Sequence, residues 1–314
     1  MTHTDEDLLR RRVGEYHYRL RTRIEAYHAA QVIGQGLTWL HPENVPYLRA
    51  LLHFGLGCTG LYWRGYRAAC TIHVRERRLA LPRLPEAFIG FRILHLSDLH
   101  IDFHRPITDA LIERVQGLHY DVSVITGDIR GETWGDFDDT LREMERLMPH
   151  LRPPVYGILG NHDFIAMAPP LETMGLRMLL NEHVMIERGG ATLCIAGIDD
   201  PHFYEADNFE KALGGVPPGA VKILLSHSAE PYLKALACGI DYMLCGHTHG
   251  GQIRLPWGRP LLRNAKQPLS MLYGPWEFET LRGYTTSGVG CSLAPIRLRA
   301  PAEIVIHQLD RGDT

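Results

Sequence analysis

Five short stretches carry side chains able to gather a cation: Asp98-Leu99-His100, Gly127-Asp128, Gly160-Asn161-His162-Asp163, Ser226-His227 and Gly246-His247-Thr248-His249-Gly250-Gly251-Gln252. Carboxylate, carboxamide and imidazole are hard and borderline donors, a set that suits Mn, Fe or Zn rather than Ca or Mg. An Asp-x-His or His-x-His pair puts alternate residues on one side of an extended chain, yet both can aim at a single point only where the chain bends. Glycine supplies the bend. Gly127, Gly160 and Gly246 allow sharp turns and close backbone approach just before a donor, and Gly250 and Gly251 leave room beside the last histidine. Alone, a histidine reads as a hydrogen-bonded core or surface residue and a Gly-Asp as an ordinary turn; five such stretches in register along one sheet read as one site.

The elements that must position these stretches are short. Apolar runs at 91–96, 122–126, 155–159, 193–198, 221–225 and 242–245 read as buried strands, with helical segments at 108–116, 137–148 and 231–237 between several of them. This alternation predicts an α/β domain, and the donor stretches stand just past strand ends, where open α/β sheets bind their ligands. The last part, 283–307, reads as further strands. No repeat period appears. Leu81-Pro82-Arg83-Leu84-Pro85 favours an extended connector, so the domain is expected to cover residues 86–314, with residues 1–85 a separate helical region.

In the order Asp-x-His, Gly-Asp, Gly-Asn-His-Asp, lone His and Gly-His-x-His, the chain resembles the calcineurin-like metallophosphoesterase family over about residues 86–307. Gly197-Ile198-Asp199-Asp200-Pro201 and the 246–252 stretch look especially like its bacterial branch, which includes membrane-associated phosphodiesterases and UDP-2,3-diacylglucosamine pyrophosphatases. The resemblance implies a four-layer α/β/β/α sandwich with a two-metal centre at its edge. It implies that Asp98, His100 and His249 hold one divalent ion, that Asn161, His227 and His247 hold the other, and that Asp128 bridges them. Manganese is the first expectation, iron or zinc the next. Two cations about 3.5–4 Å apart bind phosphoryl oxygens and acidify water for an in-line displacement. His162 is then expected to contact the phosphate and stabilise or protonate the leaving oxygen, with Asp163 fixing its ring. Arg130 is expected either to clamp an anionic group at the mouth or to form a surface salt bridge. His95, His104 and His202 are expected to be structural or surface residues, and Asp199 and Asp200 to lie in a strand-end turn or at the site rim.

Charge divides the 314 residues unevenly. Residues 1–90 hold 13 Arg and no Lys against 8 acids, a balance of +5, whereas the remainder carries −8. A basic arm suits an anionic surface. Apolar positions at Leu9, Val13, Tyr16, Leu20, Ile24 and Tyr27 predict one long helix over 8–31, and a second is expected over about 46–54. The apolar stretch 50–63 is too short to span a bilayer but would suit an interfacial helix on anionic lipid, or equally one packed on the body or on a second subunit. The same helical region permits a homodimer. Gly55-Leu56-Gly57-Cys58-Thr59-Gly60 matches G-x-G-x-x-G, yet it follows an expected helix and no suitable acid stands about 20 residues on, so a nucleotide fold is not expected there. Six cysteines without paired spacing read as reduced thiols, and residues 1–30 lack the apolar core of a secretory signal. The expectation is therefore a cytoplasmic enzyme, peripheral on the inner face of the membrane, hydrolysing a phosphodiester or pyrophosphate on a lipid-linked substrate. Two alternatives stand beside it: a soluble nucleotide or nucleic-acid phosphodiesterase, for which no stacking platform is visible, and a non-catalytic binding scaffold on the same fold.

Overall fold

A computed structural model describes residues 3–33, 56–57, 59–261 and 265–312. Two six-stranded sheets face each other. The first runs β1 (His73–Ala80), β12 (Glu303–Asp310), β2 (Arg92–Leu96), β3 (Val122–Thr126), β4 (Val155–Ile158) and β5 (Leu176–Met178). The second runs β10 (Gly274–Phe278), β11 (Leu281–Thr285), β9 (Tyr242–Cys245), β8 (Val221–Leu225), β7 (Ala191–Gly197) and β6 (Glu182–Arg188). Strands β2 to β5 are parallel to one another, as are β7, β8, β9 and β11, while β12 runs antiparallel to β2.

Strand periodicity explains the four layers. Along β2, Ile93 packs between the sheets with Val124, Ile158, Ile195 and Leu225, whereas Leu94 and Leu96 face outward onto a separate cluster with Ile107, Leu111 and Met144. Those last three belong to α4 (Arg105–Val115) and α5 (Asp138–Leu147). On the far side, Leu224 and Met243 pack outward against Phe209 and Ala212 of α7 (Phe209–Leu213) and Ala235 of α8 (Tyr232–Ala237). Each sheet is apolar on both faces, so helices must cover the outside, and the fold is an α/β/β/α sandwich.

Before residue 86 the structure differs from the expectation in two ways. The single helix over 8–31 is instead α1 (His3–Val13) and α2 (Glu15–Ile33), divided at Gly14, whose φ of 90° has no place in a right-handed helix. The region is not purely helical either: beyond α3 (Leu61–Cys70), β1 pairs in parallel with all eight residues of β12. Arg75, Arg77 and Arg78 on this edge strand obscured it, since charge is how an exposed sheet edge avoids pairing with another chain. The helix expected over 46–54 lies outside the described residues. Within 283–307 only the ends are strands, and 286–302 forms loops against the donor stretches. Short α6 (Ala168–Thr173) leads into β5.

Candidate metal centre

All five donor stretches meet where β2, β3, β4, β8 and β9 end. The bend they require is written in the backbone: Asp98, His100, Asp128, His247 and His249 all have positive φ, between 40° and 71°. Non-glycine residues adopt this left-handed region at a cost and mainly where the surroundings impose it, often at functional sites. Two glycines are indispensable to the packing. A Cβ on Gly160 would strike the Asp128 carboxylate, and one on Gly246 would strike Ser97 and Asp98. The Asp98 carboxylate also accepts the His247 amide at 2.9 Å, which joins the two sheets at the site.

Three histidine rings are locked by the same device. Nδ1 of His100, His162 and His227 donates to the carbonyl oxygens of Arg130, Gly131 and Thr126, each at 2.8 Å, and Nε2 is left facing the site. His227 Nε2 lies 3.2 Å from Asp128 Oδ2 and 3.0 Å from Asn161 Oδ1. His100 Nε2 lies 3.8 Å from the same Asp128 oxygen and 3.1 Å from His249 Nε2, which is itself 3.7 Å from Asp98 Oδ1. The donors form three overlapping groups: Asp98 with His100 and His249, His100 with Asp128 and His162, and Asp128 with His227 and His247. All of these side chains are buried.

Electrostatics separates the groups. Burial pushes the His100 imidazole down to about 3, with His162 adding to the effect, and holds His249 well below the usual histidine range. For His227 burial works against the charged ring, but neighbouring Asp128 overcomes it and lifts the pKa to about 10. Burial likewise opposes the Asp128 charge, yet His227 and His162 keep that carboxyl well below its usual range. Asp98 is pushed up to about 6 by burial, with the Asp128 charge contributing. Neutral His100 and His249 present nitrogen atoms to each other at 3.1 Å, with a carboxylate beside them. Two neutral imidazoles and a carboxylate in one buried place are a donor set that fits a divalent metal.

Some of the other residues, Asp163, Arg130 and Asp199 among them, do not take the parts expected of them. Asp163 does not orient the His162 ring; it accepts the amides of Ile129, Arg130 and Gly160 at 2.8–3.0 Å and so ties the 160–163 turn to the Asp128 turn. Arg130 is neither at the mouth nor on the surface. Its guanidinium is buried over the Phe164 ring and donates to the carbonyls of Trp134, Gly135 and Asp136. Asp200 accepts the amides of Phe203 and Tyr204 within its turn, but Asp199 bonds His17 of α2 at 2.9 Å. His95 is a core residue on Thr126, and His104 meets Tyr66. His202 stands closer in than expected, its ring centre 4.2 Å from that of His247 and its Nδ1 2.8 Å from Glu230. Sequence reading overlooked Arg297 and Glu303. Arg297 is buried and donates to the carbonyls of Ser287 and Gly288, while Glu303 accepts from Thr286 and Ser287, so together they pin the 286–290 loop against Asp98. Neither sits in a recognisable motif.

The family model for calcineurin-like phosphoesterases matches residues 91–251. That span is just over half the chain and contains every donor named above; the chain belongs to this family and is a metal-dependent phosphoesterase. It is similar to the uncharacterized metallophosphoesterases YkoQ and YkuE of Bacillus subtilis (strain 168). YkoQ is 29% identical over 233 residues, covering 69% of this chain and 83% of that protein. YkuE is 29% identical over 253 residues, covering 76% and 85%. A transmembrane protein with metallophosphoesterase domain from Danio rerio is 29% identical over 250 residues, 74% of this chain and 56% of that protein. Among the described residues, no helix is long and apolar enough to cross a membrane.

Proposed function

We propose that the protein hydrolyses a phosphodiester or pyrophosphate with two divalent ions, manganese the first choice, and that its substrate is lipid-linked and presented at the cytoplasmic face of a membrane. The two-ion reading rests on Asp128: one carboxylate oxygen lies within 4 Å of both His100 and His227, and so within reach of both donor groups. Asp98, His100 and His249 would hold one ion, and Asn161, His227 and His247 the other, with Asp128 between. Bound, such a pair supplies Lewis acidity and lowers the pKa of water for displacement at phosphorus. His162 is the residue left for proton work. Its ring is fixed through Nδ1, and its Nε2 lies 3.9 Å from the Asp128 carboxylate; as the imidazolium it would bind a phosphoryl oxygen through Nε2–H, pass that proton to the leaving oxygen and be left neutral.

The lipid part of the reading is supported by exposed aromatic and basic residues on α3 and on the loop after His249. Trp63 is 69% exposed on α3, next to exposed Arg64 and Arg67, and Trp257 is 70% exposed with Arg259 in the loop that follows His249. Both elements rest on one segment: Gly65 accepts the Arg297 amide and Leu298 accepts the Arg254 amide, each at 2.9 Å. Indole and guanidinium side by side suit the boundary between acyl chains and anionic head groups. The manganese-loaded protein should hydrolyse bis(p-nitrophenyl) phosphate, prefer a UDP-linked lipid to cyclic nucleotides or single-stranded DNA, and sediment with anionic vesicles. Loss of sedimentation in a Trp63→Ser/Trp257→Ser variant would support the surface. A preference for cyclic nucleotides together with no vesicle binding by the intact protein would replace this reading with the soluble phosphodiesterase.

A further inference from the structure

We propose that α2 is a working part of the catalytic unit: Arg21 and Glu25 are positioning residues that fix the 160–165 loop, and through it Asn161 and His162. The inference rests on the phosphoesterase reading above for its kinetic consequence but not for its structural one.

Arg21 has no exposed surface. Burying a guanidinium is costly unless its charge and donors are met. Here the charge is met by Asp199 of the body and Glu25 of the same helix, and Nη2 makes the hydrogen bonds, while Nε and Nη1 make none. Nη2 donates to the carbonyl of Asp163 at 2.8 Å and approaches that of Gly160 at 3.4 Å. Nη1 lies 3.6 Å from Asp199, Nε lies 3.2 Å from Glu25, and the plane stacks on the Tyr204 ring at 3.4 Å. The two carbonyls bracket Asn161 and His162, so one rigid fork sets both ends of the turn that carries them. One helical turn on, Glu25 accepts the Ile165 amide at 2.9 Å and fixes the loop's exit. His17, one turn earlier, bonds Asp199 at 2.9 Å and anchors the helix itself. Three successive turns of α2 thus point into the body at the base of the site, from a part of the chain that precedes the family-matched span 91–251.

The consequence is kinetic. The Asp163 carboxylate ties the same turn to the Ile129 and Arg130 amides beside Asp128, so the loop keeps a tether to the metal-bearing strand when α2 lets go. What it loses is the setting of His162 against the reacting phosphoryl group. Misplacement of a reacting group by about 1 Å costs on the order of a hundredfold in rate.

Arg21→Met is therefore expected to lower kcat by about 10- to 100-fold on bis(p-nitrophenyl) phosphate while metal stoichiometry and KM stay near wild type. Arg21→Lys, which keeps the charge but not the fork, should recover part of the loss. Hydrogen exchange supplies a readout independent of turnover: amides of 160–165 should exchange faster in Arg21→Met, with β3 and β8 unchanged. If Arg21→Met fails to fold, Glu25→Ala reads the same loop through Ile165. Arg12→Met is the control, since Arg12 pairs with Glu172 and Glu182 and not with the loop. Unchanged loop exchange in the folded Arg21 and Glu25 variants overturns the proposal, as does wild-type kcat. Absence of turnover in the metal-loaded wild-type protein would sink the phosphoesterase reading alone, and the exchange result would still decide whether α2 sets the loop.

Discussion

The metal-bearing edge and helix α2 both act on the same loop, and they do so by opposite physics. At the edge, five donors sit in left-handed backbone, and carboxylates and imidazoles converge within 4.8 Å; the arrangement is strained and charged, and it suits a cation. Helix α2 is relaxed and right-handed, and its buried charges are each met within the protein. The difference teaches that a functional site has two kinds of residue. Those that touch the reacting atoms are constrained in chemical type, whereas those that hold the first kind in place are constrained only in position.

Removing the shared carboxylate would break this comparison most severely. Asp128→Asn should lose loading at both ion positions and all turnover, because a neutral amide cannot balance two cations and His227 would lose the charge that faces it at 3.2 Å. Metal analysis after exhaustive dialysis checks it; two retained ions with normal turnover would refute the bridging role. A smaller effect separates holding from reacting. His162→Ala should keep both ions and lose about 10²- to 10⁴-fold in kcat, the usual range for a lost general acid. Coincident loss of metal would instead make His162 a ligand, a reading its place beside His100 and Asp128 makes worth testing.

The same division explains what was legible in the sequence. Asp98-Leu99-His100 or His247-Thr248-His249 can be read because few residue types bind metal and fewer glycine placements bend a strand toward one. The strands that deliver them were legible too, since a doubly covered sheet demands continuous apolar runs. Arg21 and Glu25 were not. On a helix, arginine and glutamate four residues apart look like a solvated face, and nothing in their types says that this face is buried under Tyr204. Arg130 misled for the complementary reason: a guanidinium two residues from the candidate ligand Asp128 suggests a phosphate clamp, but its direction is decided by carbonyls at 134–136. β1 was hidden because its side chains are mostly exposed, three of them arginines, so the period-2 signal of a half-buried strand is missing.

Acidification gives the mildest and most discriminating contrast between the two regions. Without a cation, His227 titrates at about 10, so at pH 7 its ring carries a proton that an arriving ion must displace. Asp98 titrates at about 6 and adds a second proton below that pH. The sign follows: groups whose pKa is raised in the cation-free fold bind protons that compete with metal, so affinity falls as pH falls. One proton displaced at His227 corresponds to about a tenfold weaker Kd for the ion held there per pH unit between 7 and 6, and the ion at Asp98 should weaken in turn towards pH 5. The contacts of α2 respond differently. Glu25, raised to about 7 by burial, takes up a proton in this interval but keeps an oxygen that can accept the Ile165 amide, and the Arg21 bonds to carbonyls do not titrate at all. Equilibrium dialysis with manganese at pH 7, 6 and 5, with hydrogen exchange of the 160–165 loop on the same samples, reads both regions at once. Metal should leave while the loop stays protected. A Kd flat between pH 7 and 6 would refute proton displacement at His227, and loop protection that vanishes together with the metal would show that the edge, not the helix, holds the loop.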